Sequence, residues 1–239
     1  MSPLQIALVI ALTASGAIVH GSIGIGLGLV AAPALVAIDP AFTPGPLLIA
    51  AQLVGIRHIA AEWRHADFDA VKRGLIGVPV GIIGAITILE LMSRRLLALT
   101  VGTLTALAAA MLLAGFAMAR TPRSEIVAGG ICAFSSLTAA LPGPPLVCVY
   151  ADMAPSKLRP TTALLIMVVA TTGLVTLILS GNFGSHEVSL LGWLVPGVLV
   201  GLVLARFVRP HIDRPWFRQA VLVVALLGGL ALAIRQIFA

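Results

Sequence analysis

Apolar residues run along this chain in ten blocks, at about 4–19, 27–38, 46–61, 74–91, 96–118, 126–141, 144–151, 161–180, 188–205 and 219–238. Short polar turns separate them. A helix rises 1.5 Å per residue, so crossing a bilayer takes roughly 20 apolar residues. The blocks at 74–91, 96–118, 161–180, 188–205 and 219–238 meet that requirement. Those at 27–38 and 144–151 fall short. They are predicted to be the return limbs of hairpins that turn inside the membrane, with a tilted, partly irregular full span left open for 27–38. Each short block follows an interruption: His20-Gly-Ser-Ile-Gly-Ile-Gly-Leu-Gly28 before the first, and Leu141-Pro-Gly-Pro-Pro-Leu146 around the start of the second. Glycine frees the backbone and proline removes a donor, so both stretches stop a helix.

The two halves of the pattern correspond. At an offset of 116 residues, Pro44 falls on Pro160 and Gly24–Leu29 on Ala140–Pro145; at 117, Pro79 falls on Pro196 and Gly84 on Gly201. A repeat this long suits a duplicated transporter half rather than a solenoid. Charge gives its sense. The loop 62–73 holds Arg64, Lys72 and Arg73, whereas its counterpart 181–187 has no Lys or Arg. Conversely, 39–45 has none, and its counterpart 152–160 has Lys157 and Arg159. The bias flips, as inversion requires. With both termini outside, 12 of the 15 Lys and Arg residues fall inside and only Arg94, Arg95 and Arg235 outside, as the positive-inside rule expects. The predicted fold is therefore an all-α polytopic membrane protein. It consists of two inverted five-segment repeats, 1–122 and 123–239, each opening with a broken or re-entrant helical hairpin and packed as one membrane domain.

Composition supports this class. The chain is 59% hydrophobic and 10% charged, far from the roughly 25% charge of soluble domains. Its net charge of +6 comes from loop cations, and no basic stripe with exposed aromatics points to nucleic acid. The amino terminus lacks the positive region of a signal peptide, so residues 4–19 are read as retained structure in an inner, or plasma, membrane protein. Cys132 and Cys148 match no metal or redox spacing, and His20, His58, His65, His186 and His211 form no ligand pair. No cofactor or metal is expected. The expected partners are the lipid bilayer and a small substrate, and the sequence permits a homodimer.

Broken helices in a bilayer are tolerated inside protein or beside a water-filled cavity, and paired breaks in repeated halves mark a substrate site near the midplane. The tips, Gly24, Gly26 and Gly28 in one half and Gly143, Pro144 and Pro145 in the other, are the first candidates for substrate binding. Gly24 and Gly28 also form a small-residue packing pair; the matching second break favours binding. Return limbs aimed at the centre present N–H donors to an anion, while the first limbs bring carbonyls to nearly the same place. Dipoles alone therefore do not choose the sign of the ligand. Ser22 and Thr138 flank the breaks and either donate to an oxyanion or repair freed carbonyls. Gln52 lines the site or bonds a neighbouring helix. Arg57 offers a guanidinium fork or snorkels to the interface. His20 couples protons or hydrogen-bonds a broken-helix carbonyl. Tyr150 is an interfacial anchor or a ligand.

Gly24-Ile-Gly-Leu-Gly28 with Pro33, and Gly143-Pro-Pro-Leu-Val-Cys-Val-Tyr150, resemble the two signature segments of the sulfite exporter TauE/SafE family of anion permeases. Arg64-His-Ala-Asp-Phe-Asp69 resembles that family's first cytoplasmic loop. Leu27 stands where the family usually has another glycine, and Pro142 where Gly or Ser is commoner. The resemblance implies secondary transport of a small sulfur-containing oxyanion or organosulfonate, such as sulfite or sulfoacetate, coupled to protons. The alternatives are a divalent-metal transporter or a passive anion channel. An intramembrane enzyme is a poorer fit, because no G-x-S-G, H-E-x-x-H or intramembrane aspartate pair is present.

Overall fold

The computed structural model describes the backbone of residues 1–23, 26–212 and 215–238, and side chains throughout these except at 22, 23, 57, 58, 61, 206, 208–212 and 215. Ten α-helices make up the described chain: α1 (Pro3–Ile23), α2 (Leu27–Ile38), α3 (Gly45–Glu62), α4 (Phe68–Leu91), α5 (Arg94–Leu113), α6 (Pro122–Ala139), α7 (Gly143–Val149), α8 (Pro155–Leu179), α9 (Ser185–Ile212) and α10 (Pro215–Phe238). Two 3₁₀ turns, at 40–42 and 63–65, bracket α3. Six helices (α1, α4, α5, α8, α9 and α10) are long and apolar enough to cross a bilayer. The chain is an integral membrane protein. Several helices run past their apolar blocks into polar sequence, α4 and α8 at their starts and α9 at its end, whereas α5 stops at Leu113, five residues before its apolar block ends, where Gly115 turns the chain at positive φ.

The helices carry large residues outward and small ones inward. On α4, Ile76, Val80 and Ile83 are exposed, while Gly77, Gly81 and Ala85 are buried. Lipid tails are as apolar as leucine, so burying bulk brings no hydrophobic gain in a bilayer, and small residues that let backbones approach drive association. A Cβ at Gly77 or Gly81 would strike the backbone of Ile126 or Gly130 on α6. The same relation recurs between α9 and α1, where Gly197 and Gly201 lie on the backbone of Ile10 and Ala14. Gly102 on α5 and Gly229 on α10 face each other's carbonyls. The most extensive helix pairs, α4 with α6, α5 with α10, α1 with α9 and α3 with α8, each join a helix before residue 122 to one after it.

The loops gather at two ends of the bundle. At one end the amide N–H of Met118 donates to the Cys148 carbonyl (2.9 Å), and that of Asp67 to Thr161 Oγ1 (2.9 Å). At the other, His186 Nε2 lies 2.9 Å from Asp39 Oδ2, and the Phe183 ring covers Gly45. There too Arg95 donates to the carbonyls of Gln236 and Ile237, at 2.7 and 3.2 Å.

Candidate functional site

Both interruptions reverse the chain. Gly26, at φ 138°, caps the start of α2, which folds back so that Leu27 and Ala31 lie over Gly16 of α1. α6 ends at Ala140 in the left-handed region (φ 53°, ψ 38°), with the Ala140 and Leu141 amides donating to Ser136 and Ser135. This Schellman closure normally takes glycine at that position. An alanine there costs about 1–2 kcal/mol of backbone strain. Proline then starts α7, which runs back toward the end where α6 began.

The two turns touch. A Cβ on Gly28 would fall on the Ala140 carbonyl and press the Leu141 side chain. The first-turn N–H groups of α2 belong to Leu27, Gly28 and Leu29, which line the enclosed space between the turns. α7 contributes fewer donors, because Pro144 and Pro145 remove two of its first N–H groups.

That space is a cavity of about 20 Å³ walled by His20, Gly26, Gly28, Ala51, Gly143 and Pro144, among others. A second cavity, of about 10 Å³, adjoins it through His20, Ala51 and Ile166, and adds Gln52 and Gly55 from α3 with Arg159 and Met167 from α8. Each is the size of one water, so a larger solute requires the surrounding helices to separate. His20 is buried at 6% exposure and borders both cavities. The Gln52 Nε2 is buried without a hydrogen-bond partner among the described residues. A buried amide donor left unmatched costs about 1–3 kcal/mol unless a ligand or water takes it.

The other polar cluster stands at the loop end that holds Asp67. Glu125, only 1% exposed, accepts from Arg120 Nε (2.7 Å) and from Arg73 Nε. Arg120 also donates to Asp67 Oδ2 (2.6 Å), and its guanidinium stands 5.6 Å from the Tyr150 ring centroid. The Asp67 carboxylate caps α4, and the Ala70 amide that donates to it, together with the Arg120 guanidinium, holds that carboxyl below its ordinary pKa. Hydrogen bonding to Glu125 chiefly raises that of Arg120. The cluster ties 67–73 to 120–125 and Tyr150. It is a structural clasp, with every carboxylate already engaged.

Of the residues singled out from the sequence, Gly26, Gly28, Gly143, Pro144 and His20 meet at the central cavity, and Gln52 lines its neighbour. Pro145 instead faces a separate apolar groove between α5, α6 and α7, which Pro144 also borders. The Thr138 hydroxyl donates to the Phe134 carbonyl (2.7 Å) inside its own helix and borders neither cavity. Gly24 and the side chains of Ser22 and Arg57 lie outside the described residues. Tyr150 is fully buried, which rules out the interfacial-anchor reading; its ring is packed beneath Arg120 rather than at a lipid headgroup. Sequence reasoning missed Arg159 as a cavity residue, because loop charge explains it equally well. No local sequence pattern marks Glu125, whose partners Arg73 and Arg120 are set by the fold.

The family model described as sulfite exporter TauE/SafE matches residues 8–232. No curated protein and no solved structure matches the chain.

Proposed function

Because the chain belongs to the sulfite exporter TauE/SafE family, a family of membrane transporters, we propose that it is a secondary transporter of a small sulfur-containing oxyanion or organosulfonate. Sulfite and sulfoacetate are the reference substrates. The observation that carries this reading is the meeting of the two helix breaks at Gly28 and Ala140, with a titratable His20 on the wall of the space they enclose. Paired discontinuous helices at such a point form the substrate sites of alternating-access transporters. His20 is the coupling residue in this reading, exchanging a proton as the anion passes.

The two halves, 1–122 and 123–239, act as inverted repeats in the inner membrane, with both termini outside. Reciprocal packing of α4 on α6 and α9 on α1 supports that reading, as does the loop grouping. Their hairpins are re-entrant, since α2 and α7 have only 12 and 7 residues. Cysteines placed at 69 and 182 are expected to label from opposite faces in intact cells; labelling from one face removes the inverted arrangement. A divalent-metal cargo fits poorly beside the Arg159 side chain.

Reconstituted protein should exchange sulfite, sulfoacetate or thiosulfate, with the rate following an imposed pH gradient. Flux without any gradient dependence favours a passive channel. Absence of flux for the whole panel overturns the reading.

A further inference from the structure

The second cavity carries the charge that the helix breaks lack. Cations elsewhere among the described residues are engaged or exposed. Arg73 and Arg120 are committed to Glu125 and Asp67, Lys72 pairs with Asp69, and Arg95 binds carbonyls at the carboxyl-terminal end. Arg64, Arg94, Arg123, Lys157, Arg218 and Arg235 are exposed. Arg159 differs from all of them: it is partly buried, has no carboxylate within ion-pair distance among the described residues, and lines a cavity. Its position on α8 is one turn before Ala163 and two before Ile166 and Met167, so a single helix face carries it into the site. Gln52, on α3, lines the same cavity, and its Nε2 is buried with no hydrogen-bond partner among the described residues.

We infer that Arg159 and Gln52 are the specificity-determining pair for the oxyanion head group, deepening the transport reading on which this assignment rests. A guanidinium is a planar fork that meets two oxygens of a sulfonate or sulfite group at once and always carries its charge. The Gln52 amide supplies a further donor for the third oxygen. Both partners gain: the arginine acquires a counter-charge and the amide an acceptor, neither of which the described residues supply. The favoured ligand is a compact head group with three oxygens on one centre. Single-oxygen alcohols and cations are rejected by the same wall.

The test is a concentration series of sulfite and sulfoacetate flux in proteoliposomes, with thermal melting in detergent as a second readout. Arg159→Gln is expected to raise KM by about tenfold or more, the range for hydrogen bonds to charged groups, and Arg159→Lys to give an intermediate value. Gln52→Leu raises KM less. Lys157→Gln, which removes the same charge from an exposed site two residues away, leaves KM unchanged. Sulfite should raise the melting temperature of the wild type and of Lys157→Gln but not of Arg159→Gln. If Arg159→Gln does not survive purification, Arg159→Lys decides. Wild-type KM and wild-type melting response in the Arg159 variants overturn the assignment alone. A wild-type protein that carries none of the panel overturns the transport reading and this assignment with it.

Discussion

Gly28→Ala is expected to abolish substrate flux while leaving the protein inserted and monodisperse. One methyl group suffices because its position coincides with the Ala140 carbonyl and it stands 3.3 Å from the Leu141 side chain. Neither turn can retreat at low cost. Ala140 is held in the left-handed region by amide bonds to Ser135 and Ser136, and the start of α2 rests on Gly16, where a Cβ would already be 3.1 Å from the Leu27 carbonyl. The methyl therefore forces the turns apart, and a displacement of about 1 Å at a reacting or binding centre costs on the order of 10²-fold in rate. Gly192→Ala is the control. Nothing lies within 4 Å of a Cβ at that position, and alanine is the better helix former by about 1 kcal/mol. The measurement is initial flux per reconstituted molecule. Flux near the wild-type level in Gly28→Ala would mean that the contact between the breaks is only packing.

The second large effect is on stability. Glu125→Ala removes the shared acceptor of Arg73 and Arg120 from a site 1% exposed. It leaves two guanidinium groups facing one another, and breaking a buried pair in this way costs about 3–5 kcal/mol. Asp67→Ala should cost less, since Asp67 is 28% exposed and shares Arg120 with Glu125. Asp69→Ala should be nearly silent, because the Lys72–Asp69 pair is exposed at 77% and 76% and such pairs contribute little. The measurement is the order of melting temperatures in detergent; equal values for Glu125→Ala and Asp69→Ala would contradict the clasp. Acid acts on the Asp67 limb in a definite direction. Its folded-state pKa lies below the ordinary 3.8, so its contribution is complete above that value and is lost as pH falls through the lower, folded one.

The sequence disclosed the helices and their breaks more fully than the directions the helices face. The span of α2, Leu27–Ile38, coincides with its apolar block, because glycine and the polar turn at Asp39 mark both ends chemically. Which side of a helix meets lipid is harder to read. In water the apolar stripe announces the core, but in a bilayer both faces are apolar, and only the size of residues distinguishes them. Thr138 illustrates the consequence: its hydroxyl satisfies Phe134 within α6, an option that spacing alone left open. Arg159 illustrates another. A cation in a short loop already has a sufficient explanation in topology, and only the cavity shared by α3 and α8 brings Arg159 to the same wall as Gln52. Arg73 meets Glu125, and the Tyr150 hydroxyl meets the Ala70 carbonyl, across more than 50 residues of chain, and no local pattern signals such pairings.

The contact between Gly28 and Ala140 also bears on how such a site could be altered over generations. Where main chain meets main chain, there is no side chain to exchange, and any addition collides. The helix breaks are in that sense closed to gradual change. In the transport reading proposed above, variation in cargo enters through the walls on α3 and α8, where Gln52, Arg159 and Met167 line the second cavity and are absent from the contact between Gly28 and Ala140. In that reading a new cargo is acquired by point substitution on those walls, while the contact between the turns is inherited unchanged.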